Sequence, residues 1–379
     1  VLGLVGDGHV PRALAGDAAL VLGTCWWAEE STRARRRSED VDVGAREAVL
    51  HLLMSRHIAP ARQIAAALTP PLPDPVRVHV AECSSGERDE LVRQCVRIAG
   101  QCAWIVRCPV YVRHVIVVAA EDVDLSGIDG GVIGTSDVVA LLDTSAGYEQ
   151  AIHALAVARG RSDRRARFDS DLDLAALIGP AGGPWATAVL APLLSYVPVR
   201  GSGPDAEELT TTVRSWLSFS TAATRHLKIH RNTLAGRLRL VGELLGRDLG
   251  TLEQRAVVDL ALRIRLASAS GDSAASGSVD DLLRAPAVRN WALSTLRPLR
   301  ESANGAVLEA ALRAWLGNGA RMRATADELE ISVPGMRKRL CRMEQLLNRS
   351  LLQAPSARHD LWFALRVADV EAAPEPVRC

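Results

Sequence analysis

Between residues 171 and 370 the chain repeats itself. Trp185-Ala186, four residues, then Leu190-Ala191-Pro192-Leu193 recurs as Trp291-Ala292, four residues, then Leu296-Arg297-Pro298-Leu299. Leu209 and Val213-Arg214-Ser215-Trp216-Leu217 recur as Leu308 and Leu312-Arg313-Ala314-Trp315-Leu316. Leu227-Lys228-Ile229 returns as Leu329-Glu330-Ile331, Arg237-Leu238 as Arg339-Leu340, and Ala261-Leu262-Arg263-Ile264 as Ala364-Leu365-Arg366-Val367. So many anchors in one order impose one fold on both copies. Their apolar spacing is helical. Two all-helical units are expected, 171–266 and 280–370. The small polar stretch between them, 267–279, reads as a flexible linker.

The first 170 residues differ. Residues 1–70 read as a helical segment, with helices over Arg12–Arg37, Ala45–Leu53 and Pro60–Leu68. The proline-rich Thr69–Pro75 ends it. Residues 71–165 then read as an α+β module with a mixed sheet. Val76–Val80 alternates like a half-buried strand, and Glu87–Ile98 has helical spacing. Ala103–Val106 and Val110–Ala119 read as strands, Val132–Thr135 and Val138–Leu142 as shorter ones, and Tyr148–Arg159 as a helix.

Each helical unit contains a readable helix–turn–helix. In the first, Thr221–His226 is a short helix, Leu227–Ile229 the turn and His230–Glu243 the second helix. Leu234, Leu238, Val241 and Leu245 mark its buried face. Met336, Leu340, Met343 and Leu347 repeat that spacing in the second helix of unit 2, read over 333–345. Ser332 suits its N-cap and Pro334 its first turn.

The remaining face is basic. Arg225, Lys228, Arg231, Arg237 and Arg239 occur with no acid between 225 and 242, and Arg337, Lys338, Arg339 and Arg342 with none between 331 and 343. Residues 205–266 hold ten bases against seven acids, and 302–368 ten against six, in a chain whose net charge is +1. Positive charge is thus concentrated where a phosphate-binding surface would need it. A helix–turn–helix lays its second helix in the major groove, N-terminal residues at the base edges. His230-Arg231-Asn232-Thr233 supplies the chemistry: Arg pairs with guanine and Asn with adenine, while Thr or His reaches phosphate. The expected DNA contacts are therefore Arg225, Lys228, His230, Arg231, Asn232, Thr233, Arg237 and Arg239, with Arg337, Lys338 and Arg342 from the second copy.

Ile229-His230-Arg231-Asn232-Thr233-Leu234, followed by Arg237-Leu238, Glu243–Leu249 and Leu260-Ala261-Leu262, closely resembles the C-terminal helix–turn–helix of PucR/CdaR-type bacterial transcriptional regulators. In that family a degenerate GGDEF-like α+β domain precedes the DNA-binding domain, and Gly134-Thr135-Ser136 with Tyr148–Leu155 look like its late segments. The resemblance implies a sequence-specific DNA-binding regulator with double-stranded DNA as partner. The two copies depart from each other. Nine residues separate Leu217 from Leu227, but twelve separate Leu316 from Leu329, and the longer spacing is the one similar to the family's. Unit 2 in turn carries Ser332-Val333-Pro334-Gly335 where unit 1 has His-Arg-Asn-Thr.

Other function classes find less support. Asp129-Gly130-Gly131-Val132-Ile133 lacks the acidic pair of a GGDEF signature, and no phosphate-binding loop, dinucleotide fingerprint or nucleophile elbow occurs. Asp122, Asp124, Asp129 and Asp137 read as loop residues. Cys83, Cys95, Cys102 and Cys108 include no C-x-x-C pair and read as buried free thiols. No enzyme, metal or cofactor is expected. Trp216 and Trp315 read as core anchors. The rival to DNA binding is a scaffold that engages a protein through its helical units. No apolar run long enough to span a membrane is read; Ala13–Ala28 comes nearest and Asp17 interrupts it. The seven cysteines suit a reducing compartment, so a cytoplasmic protein is expected. Helix–turn–helix proteins commonly pair on two half-sites, so a homodimer is expected, through the Ala/Leu-rich helices of 13–68. An effector molecule is left unspecified.

Overall fold

A computed structural model describes residues 12–168, 173–198, 203–267, 278–347, 349, 351–352 and 355–372. Most of the linker, 268–277, lies outside the described residues.

The chain opens with one helix, α1 (Arg12–Met54), where two were expected. At 1.5 Å per residue it is about 65 Å long. Nothing between Arg37 and Ala45 breaks it: the stretch has no proline, and Asp42–Arg46 pairs across one turn at 2.8 Å. Its last turns bury Val49, Leu50 and Leu53, whereas Leu20, Leu22, Trp26 and Trp27 are exposed. A short helix, α2 (Ile58–Ala65), follows.

The module's sheet has strands β1 (Val76–Glu82), β2 (Ala103–Arg107), β3 (His114–Ala119), β4 (Val132–Val139) and β5 (Arg165–Arg167), in the order β2-β3-β1-β4-β5. All pairings are antiparallel except β4 with β5. Strand β1 is central and buried on both faces, not half-buried. Val76, Val78 and Val80 face a core with α1 and helix α4 (Thr144–Ala158), while Ala81 faces helix α3 (Arg88–Ala99). The polar residues of β1 are buried with partners: Arg77 donates to Ser136 O at 2.8 Å, and His79 Nδ1 lies 3.0 Å from Thr135 Oγ1.

Three strand expectations change. His114 starts β3 because 109–113 form a turn, closed by Cys108 N donating to His114 O at 3.0 Å. The two short strands expected at 132–142 are one strand with a bulge: His79 pairs Thr135 but Arg77 pairs Val138, and Ser136 Oγ accepts from Val78 N at 2.8 Å. Strand β5 was not expected, since Arg165-Ala166-Arg167 carries no apolar alternation. Among the cysteines, Cys83, Cys95 and Cys108 are buried as expected; Cys102 is exposed.

Each helical unit has six α-helices among the described residues. Unit 1 comprises α5 (Leu174–Ile178), α6 (Gly183–Leu194), α7 (Ala206–Phe219), α8 (Ala223–Leu227), α9 (Arg231–Leu245) and α10 (Leu252–Ala267). Unit 2 comprises α11 (Val279–Leu283), α12 (Pro286–Arg300), α13 (Gly305–Gly317), α14 (Met322–Glu328), α15 (Val333–Leu347) and α16 (Pro355–Ala372). The stretch Leu174–Leu194 corrects the reading of apolar runs: its 21 residues are long and apolar enough to cross a membrane. Here Gly179–Gly182 breaks it, and Leu174, Ile178, Trp185, Leu190 and Leu193 enter the core.

The two units share one core. It runs from Leu174 to Ala368, and the equivalent helices α10 and α16 pack on each other. Trp315 is fully buried with Arg358 over its ring at 5.3 Å, and Trp216 is partly buried with Arg255 over its ring at 5.9 Å. The matched tryptophans are thus core anchors, each capped by the equivalent arginine.

Candidate nucleic-acid interface

The helix–turn–helix geometry is the same in both units. Lys228 and Glu330 are the left-handed residues of the two turns, with φ of 52° and 51°. Ile229 N donates to Thr224 O at 3.1 Å, and Ile331 N to Ala326 O at 2.9 Å. The second helix then begins at Arg231 or Val333. His230 caps the first through Nδ1, which accepts from Asn232 N at 3.2 Å; Ser332 Oγ caps the other, accepting from Gly335 N at 3.2 Å. The expected buried faces form. Met336, Leu340, Met343 and Leu347 are buried, as are Leu234 and Val241, with Leu238 and Leu245 partly so.

The shortened segment of unit 1 has a structural job. Ser218 Oγ donates to Glu149 Oε1 on α4 at 2.7 Å. Burial pushes the Glu149 carboxyl up to about 6. Phe219 then packs 5.6 Å from Tyr148 and 4.7 Å from His226, ring centre to ring centre, and His226 meets His51 of α1 at 5.4 Å. Phe219, Ala223 and Leu234 therefore belong to the module's core. The shortened segment thus docks α8 on the module, and the turn keeps the geometry of its counterpart. Sequence reasoning did not see this docking, because its partners are more than 60 residues away.

Docking leaves the outer face of α9 open. Arg225, Lys228, His230, Arg231, Asn232, Thr233 and Arg239 are exposed. Two of the expected contacts are otherwise engaged. The His230 ring serves as the cap just described. Arg237 turns inward, donating to Glu208 Oε1 at 3.1 Å and Thr212 Oγ1 at 3.2 Å on α7. In unit 2, Arg337, Lys338 and Arg342 are exposed.

Superposing the turns by their matched bonds pairs Arg225 with Asp327, Lys228 with Glu330, Arg231 with Val333 and Asn232 with Pro334. At the turn and helix start, unit 1 presents three cations and an amide. Unit 2 presents Asp327, Glu328 and Glu330, all exposed, beside an apolar start. Its cations begin near one turn further along, at Arg337. These acids lie just outside the acid-free window 331–343, so the sequence pattern understated them.

The PucR C-terminal helix-turn-helix domain matches residues 209–264 and 308–367, which span α7 to α10 and α13 to α16. Each unit contains one PucR C-terminal helix-turn-helix domain. A solved structure titled as a regulator of polyketide synthase expression, from Bifidobacterium adolescentis, is similar at 19% identity, covering 59% of this chain and 93% of that one, with a TM-score of 0.26. No curated protein matches the chain. The two PucR domains are thus one fold in one core, with opposite charge at the turn.

Proposed function

We propose that this PucR-type regulator reads duplex DNA sequence through α9 of its first domain, with α15 of the second binding backbone phosphate. The observation that carries this is the exposed Lys228–Arg231–Asn232 cluster at the turn and helix start, where a helix–turn–helix meets base edges. Arg231 offers a fork for guanine and Asn232 an amide for adenine. Val333 and Pro334 offer no donor side chain, and Glu330 repels phosphate. Arg337, Lys338 and Arg342 suit phosphate contact without base reading.

The mixed-sheet module acts in this reading as a non-catalytic platform that orients α8. A homodimer through α1, in a cytoplasmic setting, completes the proposal. Exposed Leu20, Leu22, Trp26 and Trp27 on one long helix are what a second copy would cover.

Titration of the full chain against duplex DNA over a range of salt tests the reading. Affinity falling linearly on logarithmic axes, with a slope of about −0.9 per phosphate neutralised, is expected. Absence of DNA binding at low salt would favour the protein-binding scaffold.

A further inference from the structure

We infer that Arg255 of the first unit and Arg321 of the second together bind a phosphate group at the seam between the two units. The longer loop of unit 2 makes the site. It reaches back to α10, where Arg255 Nη2 donates to Gly319 O at 3.3 Å. Two successive left-handed residues turn the chain there, Gly319 at φ 65° and Ala320 at φ 63°. A Cβ on Gly319 would sit 3.5 Å from Arg255 Nη2 and 3.9 Å from Arg321 Nε, so both guanidiniums converge on one point. The glycine keeps that point clear of a side chain. Unit 1 is shortened here and has no counterpart of the site. Counting back from the turn, the place of Arg321 is taken by Phe219, which is buried in the module's core.

No acid among the described residues pairs with either arginine. Arg321 is exposed, and its guanidinium makes no hydrogen bond among the described residues. Arg255 is half-buried; it also donates to Thr251 O at 3.1 Å and lies over the Trp216 ring. Glu328, the acid that touches this loop, accepts from Asn318. Burial, and then the charge of Arg321, hold Arg255 below its ordinary range. Arg358 feels the same crowding: burial, and then the charge of Arg255, bring it down to about 10. Like charges this close raise the free energy of the empty protein, and an anion between them lowers it. Two arginine forks fit the oxygens of a phosphate. Arg321 directly precedes α14, the first helix of the second helix–turn–helix, and such helices cross the DNA backbone. A backbone phosphate of duplex DNA and a free phosphorylated molecule offer the same group.

Phosphate binding stands without the DNA reading, and only the DNA source of the phosphate rests on it. The full chain is titrated with inorganic phosphate, against sodium chloride at equal ionic strength, and followed by thermal shift. Phosphate is expected to raise the melting temperature beyond chloride. Arg321→Ala should weaken phosphate by about tenfold, the loss of one charge-assisted bond. The same variant should be as stable as the parent without phosphate, or more so, because a like-charge contact has gone. Arg321→Lys, which keeps the charge, should retain most of the phosphate effect. Both variants are then titrated on random duplex DNA. A salt slope lower by about one unit in Arg321→Ala assigns the phosphate to the DNA backbone. An unchanged slope beside weakened phosphate binding assigns it to a free phosphorylated molecule. If duplex DNA is not bound at all, the DNA reading fails and the phosphate titration still decides this site. Phosphate stabilising no more than chloride at millimolar concentration, with no effect of Arg321→Ala on DNA binding, would overturn the proposal. So would phosphate binding equally well to Arg321→Ala and the parent chain.

Discussion

Arg263 on α10 donates to Asp360 on α16 at 2.5 Å, and the two side chains are 9% and 1% exposed. The bond joins the last helices of the two PucR domains inside their common core. Arg263 also holds Asp259 at 3.1 Å and Asp173 at 3.2 Å, and Asp360 holds Arg349. The matched arginine, Arg366 of α16, crosses the other way, to Glu253 of α10 at 3.3 Å and to Asp280 in its own helical unit at 2.8 Å.

Breaking this clasp should separate the domains energetically. Asp360→Ala leaves buried cations short of an acceptor and should cost about 3 kcal/mol in denaturant unfolding. Burial alone would raise the Asp360 carboxyl, but Arg263 and Arg349 outweigh it and carry it down to about 2. Its folded value lies below its unfolded one. The stabilisation is therefore complete above about pH 4 and is lost as pH falls towards 2, a swing of about 2 kcal/mol. Asp360→Ala should abolish that acid-limb component; an unchanged acid limb would count against it.

Histidine gives a second pH window. Burial drives His226 down to about 4, with His51 adding a smaller push. An unfolded histidine takes up its proton near 6.5, so below that pH the unfolded chain binds more protons. Stability should fall as pH drops from about 6.5 to 4, by about 3 kcal/mol from His226. The undocking of α8 should be visible first, as earlier amide exchange in 219–227. His79 and His114, each also brought to about 4 mainly by burial, steepen the same limb. His226→Phe should remove only its own share.

Gly134 is the tightest point of the module. A Cβ there would sit 2.1 Å from Ala151 O and 2.2 Å from Leu155 N, both backbone atoms of α4. Neither can yield without lifting α4 off the sheet. Gly134→Ala should destabilise the chain by more than about 3 kcal/mol or prevent its folding, measured by urea titration.

The turn residues test the charge asymmetry. Glu330→Lys should tighten binding to random duplex DNA and steepen its salt dependence by about one unit of slope, while Lys228→Glu should do the reverse. Both positions are exposed with the same left-handed backbone, so folding should be unaffected. Equal effects of the two swaps with no sign change would show that the turns do not face DNA.

Much of this was legible in the sequence, for definable reasons. The repeat shows because equivalent core positions, such as Trp216 and Trp315, keep their residue types. The second helices show because their 4, 3, 4 apolar spacing is local. What failed to show depends on distant partners. The burial of both faces of β1 depends on α3 and α4, and the inward turn of Arg237 depends on Glu208, 29 residues earlier. His230 reads as a DNA contact from its type, yet its backbone position makes it a cap. The shared core of the two domains was invisible because its contacts, such as Arg263 with Asp360, join residues far apart in the chain.

The central claim is that α9 of the first PucR domain reads sequence. Its direct measurement is a pair of double variants titrated on a specific site and on random duplex DNA. Arg231→Ala with Asn232→Ala should lose specific affinity by roughly 1–3 kcal/mol per base contact, and keep most of its binding to random DNA. Arg337→Ala with Lys338→Ala should weaken both about equally and lower the salt slope by roughly one per lost phosphate contact. The reverse pattern, with specificity lost only in the second pair, would contradict the account.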